Sequence, residues 1–440
     1  MLLIFVPKLT NRAGYTINVV MGSILQTDFA ITTDAHAFRS HEGPRLCYAS
    51  RPLEDCDAPF VKAARLLFET SIEEQECRSF SFEGQQVLFP VFAREALLPF
   101  DPFAAAFFML SRYEEYLPHR ADEHGRFLAA ESIAYREGFL QQAVVDRWAL
   151  MLRDALLARC PGLQFKGRAY VFEQTVDIDA AYCYLHKGTF RTVTGLLRDG
   201  LHRHDMDEIR RRVRVLRGKE EDPYDTFDYI LDRSRSCAGR GSLIFFPLMG
   251  DYGIYDKPAS PYCNGFRQLL QHLGDYAKMG LHGSYYSSAE PDRLGREIER
   301  LADILHHPIV RNRFHFLRFN LPYAYRNLVQ HNVLHDYSMG YAELPGFRCG
   351  TCSTVPFFDL NSDQETPLWM HPFAAMDATF KKYLGVSPDE AARQMKVLAD
   401  EARRVGGTFS CIFHNQNLSD DYEWKGWRTV YEEVLEYASR

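Results

Sequence analysis

Nowhere in the 440-residue chain do eighteen apolar residues run together, which excludes a membrane-spanning helix as the organising element. The nearest approach, MLLIFV at the N-terminus, stops at Pro7 and has no basic segment before it. It reads as a buried strand opening the first domain, not as a leader, so the expected location is the cytoplasm. A basic surplus is also missing. The net charge is -7, so no global field draws in nucleic acid or anionic lipid, and neither is expected as a partner. The arginines from Arg210 to Arg217 are answered by KEEDPYD and read as a solvated helix face. No phosphate-cradling glycine loop, dinucleotide fingerprint, H-E-x-x-H helix or G-x-S-x-G elbow is present. The ten cysteines are scattered, which excludes a disulfide scaffold and fits reduced thiols. Their one close pair, Cys349 and Cys352 in FRCGTCS, lacks the further ligands that zinc needs. The STVPFFDL that follows is not the helix a redox dithiol needs. No repeat or low-complexity tract breaks the chain.

What is there is ordinary globular material, 46% hydrophobic and 25% charged, enough for two or three domains or one domain and a barrel. The first ~160 residues alternate strand-like and helix-like pieces, with a polar loop at Ala121 to Arg126. Helical spacing from Arg136 to Cys160 ends at a Pro-Gly stop, which puts a boundary near Pro161 to Arg168. The expected division is 1–165, a smaller α/β domain of unassigned role, and 166–440. Beyond the boundary, buried strand patterns (AYVFEQTVDI, GSLIFFPLM, FHFLRFNLP, GTFSCIFH) alternate with amphipathic helix patterns, the signature of a parallel (β/α) barrel.

Barrel chemistry gathers at strand C-termini, and polar residues stand there in this sequence. Asp177 and Asp179 are two apart at a strand end, so their carboxylates face one way. Such a pair repels unless a proton or cation intervenes. His282, Arg318, Asp336 and His414 end other candidate strands. Each alone has a bland reading, as a cap, an ion pair or a core histidine. Five ends together point to one site.

These motifs, in this order, resemble the polysaccharide deacetylase family, the NodB-homology fold of carbohydrate esterase family four. The likeness runs over residues ~166 to 440 and is strongest to a divergent bacterial branch that carries an N-terminal domain of unknown function. The resemblance implies a distorted deacetylase-type (β/α) barrel. TVDIDAAY would carry the catalytic base, Asp177, and a metal-binding aspartate, Asp179. GLHGSYYSS would carry a metal ligand, His282, and a loop-ordering hydroxyl, Ser284. LRFNLP would supply Arg318 to orient the base and Pro322 in the wall, HDYSMGY would supply Asp336, and CIFHNQNL the general acid, His414. The implied cofactor is a divalent metal (zinc, cobalt or nickel). The implied reaction is hydrolysis of an acetamide on a carbohydrate, with Tyr285, Tyr286 and Trp369 available to stack on sugar rings. One departure matters. Tyr286 stands where the family has its second histidine, and a phenol ionising near ~10 is a poor ligand. A third donor is then expected from elsewhere, with His186, Asp251 and Asp256 the candidates. The alternatives are a metal-independent hydrolase of another C–N bond and a non-catalytic carbohydrate-binding or assembly protein.

Overall fold

The structure is a computed structural model that describes residues 1–201, 206–237 and 241–440. The charged helical stretch expected from about residue 198 onward passes through 202–205, which lie outside the described residues.

The N-terminal part is built on a parallel four-stranded sheet in the order β2-β1-β3-β4. Its strands are β1 (Leu2–Phe5), β2 (Phe29–Thr32), β3 (Arg45–Ala49) and β4 (Phe60–Lys62). A small hairpin, β5 (Ser79–Phe82) with β6 (Gln85–Leu88), lies beside it. Against these elements packs the helix Pro102–Leu110, whose nine residues are all buried. A helix buried all round has no solvent for its first amides, so its cap must be internal. Asp101 supplies it. One carboxylate oxygen accepts from the Phe103 and Ala104 amides, both at 3.0 Å; the other accepts from the Tyr48 hydroxyl (2.9 Å) and the Ala64 amide (2.6 Å). Asp101→Ala strands four donors together, three of them buried, so the expected loss is about 2–4 kcal/mol, more than an exposed cap contributes. Denaturant unfolding of the variant checks this.

The helix expected from Arg136 begins only at Val144, because the chain turns at Gly138 (φ +73°) before it. It ends at Arg159.

From residue 171 the chain forms β7 (Val171–Ile178), β8 (Gly241–Pro247), β9 (Lys278–Met279), β10 (Leu281–Gly283), β11 (Arg311–Phe314) and β12 (His335–Asp336). β13 (Val355–Asp359), β14 (Gln364–Met370), β15 (Ala375–Met376) and β16 (Thr408–His414) follow. They pair as two five-stranded sheets, β15-β16-β7-β8-β9 and β10-β11-β12-β14-β13, parallel except for the β13–β14 ladder. A parallel backbone bridge between Leu248 and His282 joins the sheets on one side. On the other, the chain leaving β14 crosses over. The His371 amide donates to the Asp336 carbonyl and the Ala374 amide to the Ser410 carbonyl, both short contacts of 2.8–2.9 Å. The result is the distorted parallel barrel that the alternation predicts.

Strand periodicity then sorts the side chains. On β8, Leu243 and Phe245 join the large core under the outer helices, while Ile244 and Phe246 pack inside with Tyr337. On β16, Phe409, Cys411 and Phe413 face outward, and Ile412 faces an interior cluster with Leu317 and Met376. On β7, Val176 and Ile178 belong to the outer core, so Thr175 and Asp177 must point inward.

The N-terminal part is welded to the barrel. Arg12 pairs with Asp363 (2.7 Å), and Asp146 accepts from Thr351 and Ser353, both at 2.6 Å. Glu115 binds Arg112 and Arg348, each at 2.7 Å, with all three buried. Cys349 and Cys352 sit inside this seam, where burial pushes their thiols up, Cys349 to about 11. A thiol so raised is a packing group, not a redox one. Arg210 to Arg217 lie mostly on the helix Met206–Leu216, with Arg212 the buried exception, its guanidinium over the Tyr184 ring. Among the described residues, no helix is long and apolar enough to cross a membrane.

Candidate functional site

Four strand ends, of β7, β10, β11 and β16, meet at the top of the barrel. In the sheet register His414 is the direct neighbour of Asp177, and His282 that of Arg313. Asp179 continues the inward face of β7 two residues past Asp177. One of its oxygens, Oδ1, lies 3.2 Å from His282 Nε2 and 3.6 Å from His315 Nε2; the other lies 3.8 Å from His414 Nε2 and accepts from the Gln416 amide at 3.1 Å. A donor group of Asp179, His282 and His315 therefore converges, with its ligand atoms within 4.8 Å of one another.

The tautomers decide what this group wants. His282 Nδ1 lies 2.9 Å from the Arg313 carbonyl, which can only accept, so Nδ1 carries the proton and Nε2 presents its lone pair. His315 Nδ1 lies 2.8 Å from the Asp256 carboxylate, with the same consequence. Two imidazole lone pairs thus aim at a carboxylate oxygen, Asp179 Oδ1, that is buried and accepts no hydrogen bond. Electron pairs so gathered repel unless a proton or a cation sits between them. Without a cation the site takes protons. Burial alone would depress His315, but Asp179 and Asp256 override it and lift it to about 9; burial alone would raise Asp179, but His315, His414 and His282 hold it well below its usual range. A dicationic metal held by Asp179, His282 and His315 would take the place of those protons, and two imidazoles with one carboxylate is a donor set of catalytic zinc sites. The buried partners of each Nδ1 are the outer contacts such ligands need.

Asp177 stands beside this group, fully inside. Its Oδ1 accepts from Arg313 Nη1 at 2.8 Å, and Oδ2 is 3.7 Å from His282 Nε2. Arg313 is wholly buried, also donates to Thr175 Oγ1 (2.7 Å) and the Tyr337 carbonyl (3.0 Å), and lies over the Phe246 ring. On the far side, His414 Nδ1 is 2.7 Å from the buried Asp377 carboxylate. Asp377 also accepts from the His414 amide and from Asn417, each at 2.9 Å. Burial would lower His414, yet Asp377 and Asp179 raise it to about 9. The cavity between these groups holds about 130 Å3 and is walled by Phe314, Leu317, Ala342 and Met376. That is ample room for a group the size of an acetyl.

The structure thus brings Asp177, Asp179, His282 and His414 together. It places the other named residues elsewhere. Arg318 does not reach Asp177; it donates to the carbonyls of His124 (3.1 Å) and Tyr285 (3.0 Å) at the rim, and Arg313 holds Asp177 instead. Asp336 is buried between β12 and the helix Tyr323–Gln330, where Asn312, Tyr325 and Ser338 fill its oxygens. Tyr286 is 41% exposed and turned away from the donors, and Trp369 lies on β14, with Tyr285 stacked on Tyr255. Ser284 gives its amide and hydroxyl to Glu297, a buried carboxyl raised to about 7, and so orders its loop. His186 packs on Tyr182, and Asp251 pairs with Arg300 on the surface at 2.9 Å. Asp256, offered as a third ligand, is instead the partner of one. Pro322 follows a cis peptide bond after Leu321. The residues that sequence reasoning passed over are His315, Arg313 and Asp377. The first two had a signal, since RFHF from Arg313 alternates polar and apolar residues, which sends Arg313 and His315 to one face. Asp377 lies after a two-residue strand and had none.

Comparison with known proteins adds the following. Residues 2–161 match a family of unknown function (DUF7033). No curated protein matches the chain. Solved structures similar to it include a protein described as a polysaccharide deacetylase from Mycobacterium smegmatis, at 14% identity and TM-score 0.38 over 61% of this chain and 83% of that one. The allantoinase Puue is similar at 12% identity and TM-score 0.38, over the same shares. A protein described as a polysaccharide deacetylase from Pseudomonas aeruginosa PAO1 is similar at 11% identity and TM-score 0.37, over 61% of this chain and 84% of that one.

Proposed function

We propose that the chain is a metal-dependent hydrolase of a C–N bond, an N-deacetylase acting on an acetamido group carried by a carbohydrate. The single observation that supports it most is the Asp179, His282 and His315 donor group with Asp177 at one side and the His414 ring, held by Asp377, at the other. We also take 1–165 and 166–440 as the working division, with the N-terminal part packed on the barrel.

Asp179, His282 and His315 would hold the ion. A divalent cation there supplies a polarised carbonyl and a water acidified to near ~7. The protein's own groups do the rest. Asp177 is oriented by the hydrogen bond from Arg313, which suits it to accept the proton of the attacking water. Attack forms the new C–O bond as the C–N bond breaks, and acetate departs. His414, held protonated by Asp377, gives its proton to the leaving nitrogen. The cavity beside these groups, with Phe314, Leu317, Ala342 and Met376 along one part of its wall, would receive the acyl group. The carbohydrate itself lies outside, at the aromatic rim.

The alternative of a non-catalytic carbohydrate-binding or assembly protein is favoured by a metal site left short of an imidazole, as Tyr286 in place of the second histidine would leave it. With His315 supplying an imidazole from the next strand, that reason lapses. Acetate release from N-acetylated sugars by zinc- or cobalt-loaded protein is the test. Asp177→Asn should lower kcat by roughly 10²–10⁴ while metal uptake stays stoichiometric. A protein that binds the ion yet releases no acetate above background, with Asp177 intact, overturns the hydrolase reading.

A further inference from the structure

The N-terminal part reaches the barrel mouth with a small loop, 121–127, whose Arg126 lies at the cavity. It is a pre-shaped hairpin. Ala121 bridges Phe127, and Gly125 takes the left-handed φ of +75° that the turn requires. Asp122 ties it internally. Its Oδ1 accepts the His124 and Arg126 amides, both at 2.9 Å, and its Oδ2 accepts Arg126 Nε at 2.6 Å. The shaped loop grips the turn that follows His315. Arg126 Nη1 donates to the Phe316 carbonyl at 2.8 Å, and Nη2 to the Tyr383 hydroxyl at 3.3 Å. The His124 ring packs edge-on against Phe316, 5.1 Å between centroids, and its Nδ1 lies 3.0 Å from the Tyr285 hydroxyl.

That turn needs holding. Phe316 and Leu317 both have positive φ, +60° and +53°, two side-chain-bearing residues in succession where L-residues seldom go. Such a conformation persists only where its surroundings over-determine it. Behind His315 the strand is fixed by the Phe314 amide on Ser338 Oγ, at 2.9 Å. Ahead of it, the carbonyl between the two strained residues is the one Arg126 holds. If the turn relaxed, His315 would leave its place beside Asp179.

We infer that the loop 121–127 is a positioning element for the third metal ligand. Arg126, set by Asp122, clamps the strained turn and so fixes His315, which makes the barrel's metal site incomplete without the N-terminal part. Arg126 touches none of the donor atoms; it acts through the backbone of Phe316. The inference rests on the metal-hydrolase reading above.

Cobalt(II) titration of the full-length protein tests it, followed by visible absorption and calorimetry. The variants are Arg126→Ala, Arg126→Lys and Asp122→Asn. Loss of an outer partner should weaken cobalt binding roughly 10- to 100-fold in Arg126→Ala and in Asp122→Asn. The cobalt spectrum should change as an imidazole is lost, and added guanidinium should restore part of the affinity of Arg126→Ala. Lysine, which cannot bridge Asp122 and the carbonyl with one planar fork, should rescue poorly. Variants that melt earlier but bind cobalt as tightly and with the wild-type spectrum overturn the inference, since the loop would then be only structural. If Arg126→Ala does not fold, Asp122→Asn decides by the same two readouts. Wild-type protein that takes up neither cobalt nor zinc overturns the metal reading instead, a distinguishable result.

Discussion

His315→Ala should weaken zinc or cobalt binding by more than about 100-fold, beyond the upper end of what losing an outer partner costs. It should abolish acetate release with it. The reason is arithmetic of donors. Asp179 and His282 alone leave two protein ligands, and a catalytic zinc site ordinarily has three. Tyr286→Ala is the matched control. Tyr286 occupies the position where the resemblance sets a histidine, yet its ring is 41% exposed and lies in the aromatic group with Tyr255 and Tyr285. Metal affinity should stay within about 2-fold of wild type, because an outer partner, let alone a ligand, is not being lost. Elemental analysis and competitive titration read both. If Tyr286→Ala loses the metal and His315→Ala keeps it, the assignment of the third ligand is wrong.

The second large effect concerns His414. His414→Asn should lower kcat by roughly 10²–10⁴ with little change in metal content, as expected of a lost general acid. Asp377→Asn keeps the imidazole but removes what holds its proton. In metal-free protein His414 should titrate near 9 by NMR, because Asp377 and Asp179 outweigh its burial. Asp377→Asn should bring it down, since burial disfavours the charged ring. Stability follows the same protons. His315 and His414 both rise from 6.5 to about 9 on folding. Between those values the folded chain keeps protons that the unfolded chain has released. The stabilisation is therefore whole below pH 6.5 and fades as pH climbs through 9. The melting temperature of metal-free protein should fall across that window. Zinc-loaded protein should follow it only in part, because the cation would displace the His315 proton while His414, outside the donor group, keeps its own. An apo melting temperature that rises from pH 6.5 to 9 would contradict the geometry of both histidines.

Much of this molecule is readable in one dimension, for a physical reason. A strand buried on both faces announces itself by a continuous apolar run, and a helix by its spacing. The barrel, its strand ends, and Asp177, Asp179, His282 and His414 follow from those local rules and from the order of motifs. Asp177 and Asp179 share a face because residues two apart on a strand must. What the chain order could not decide is which polar group at one strand end meets which at another. Arg313 and Arg318 both flank the same apolar stretch; only the turn at Phe316 and Leu317 sends the first to Asp177 and the second to the rim. His315 and His282 come together because β10 and β11 are laid side by side in a set register, Gly283 opposite Phe314. Asp377 reaches His414 across β15 and β16, and Arg126 reaches the mouth from nearly two hundred residues upstream of the carbonyl it holds. Local sequence fixes which way a side chain points from its own strand. Distances of three to four ångströms between side chains far apart in sequence depend on register, strand tilt and the docking of the N-terminal part, and those exist only in the folded barrel.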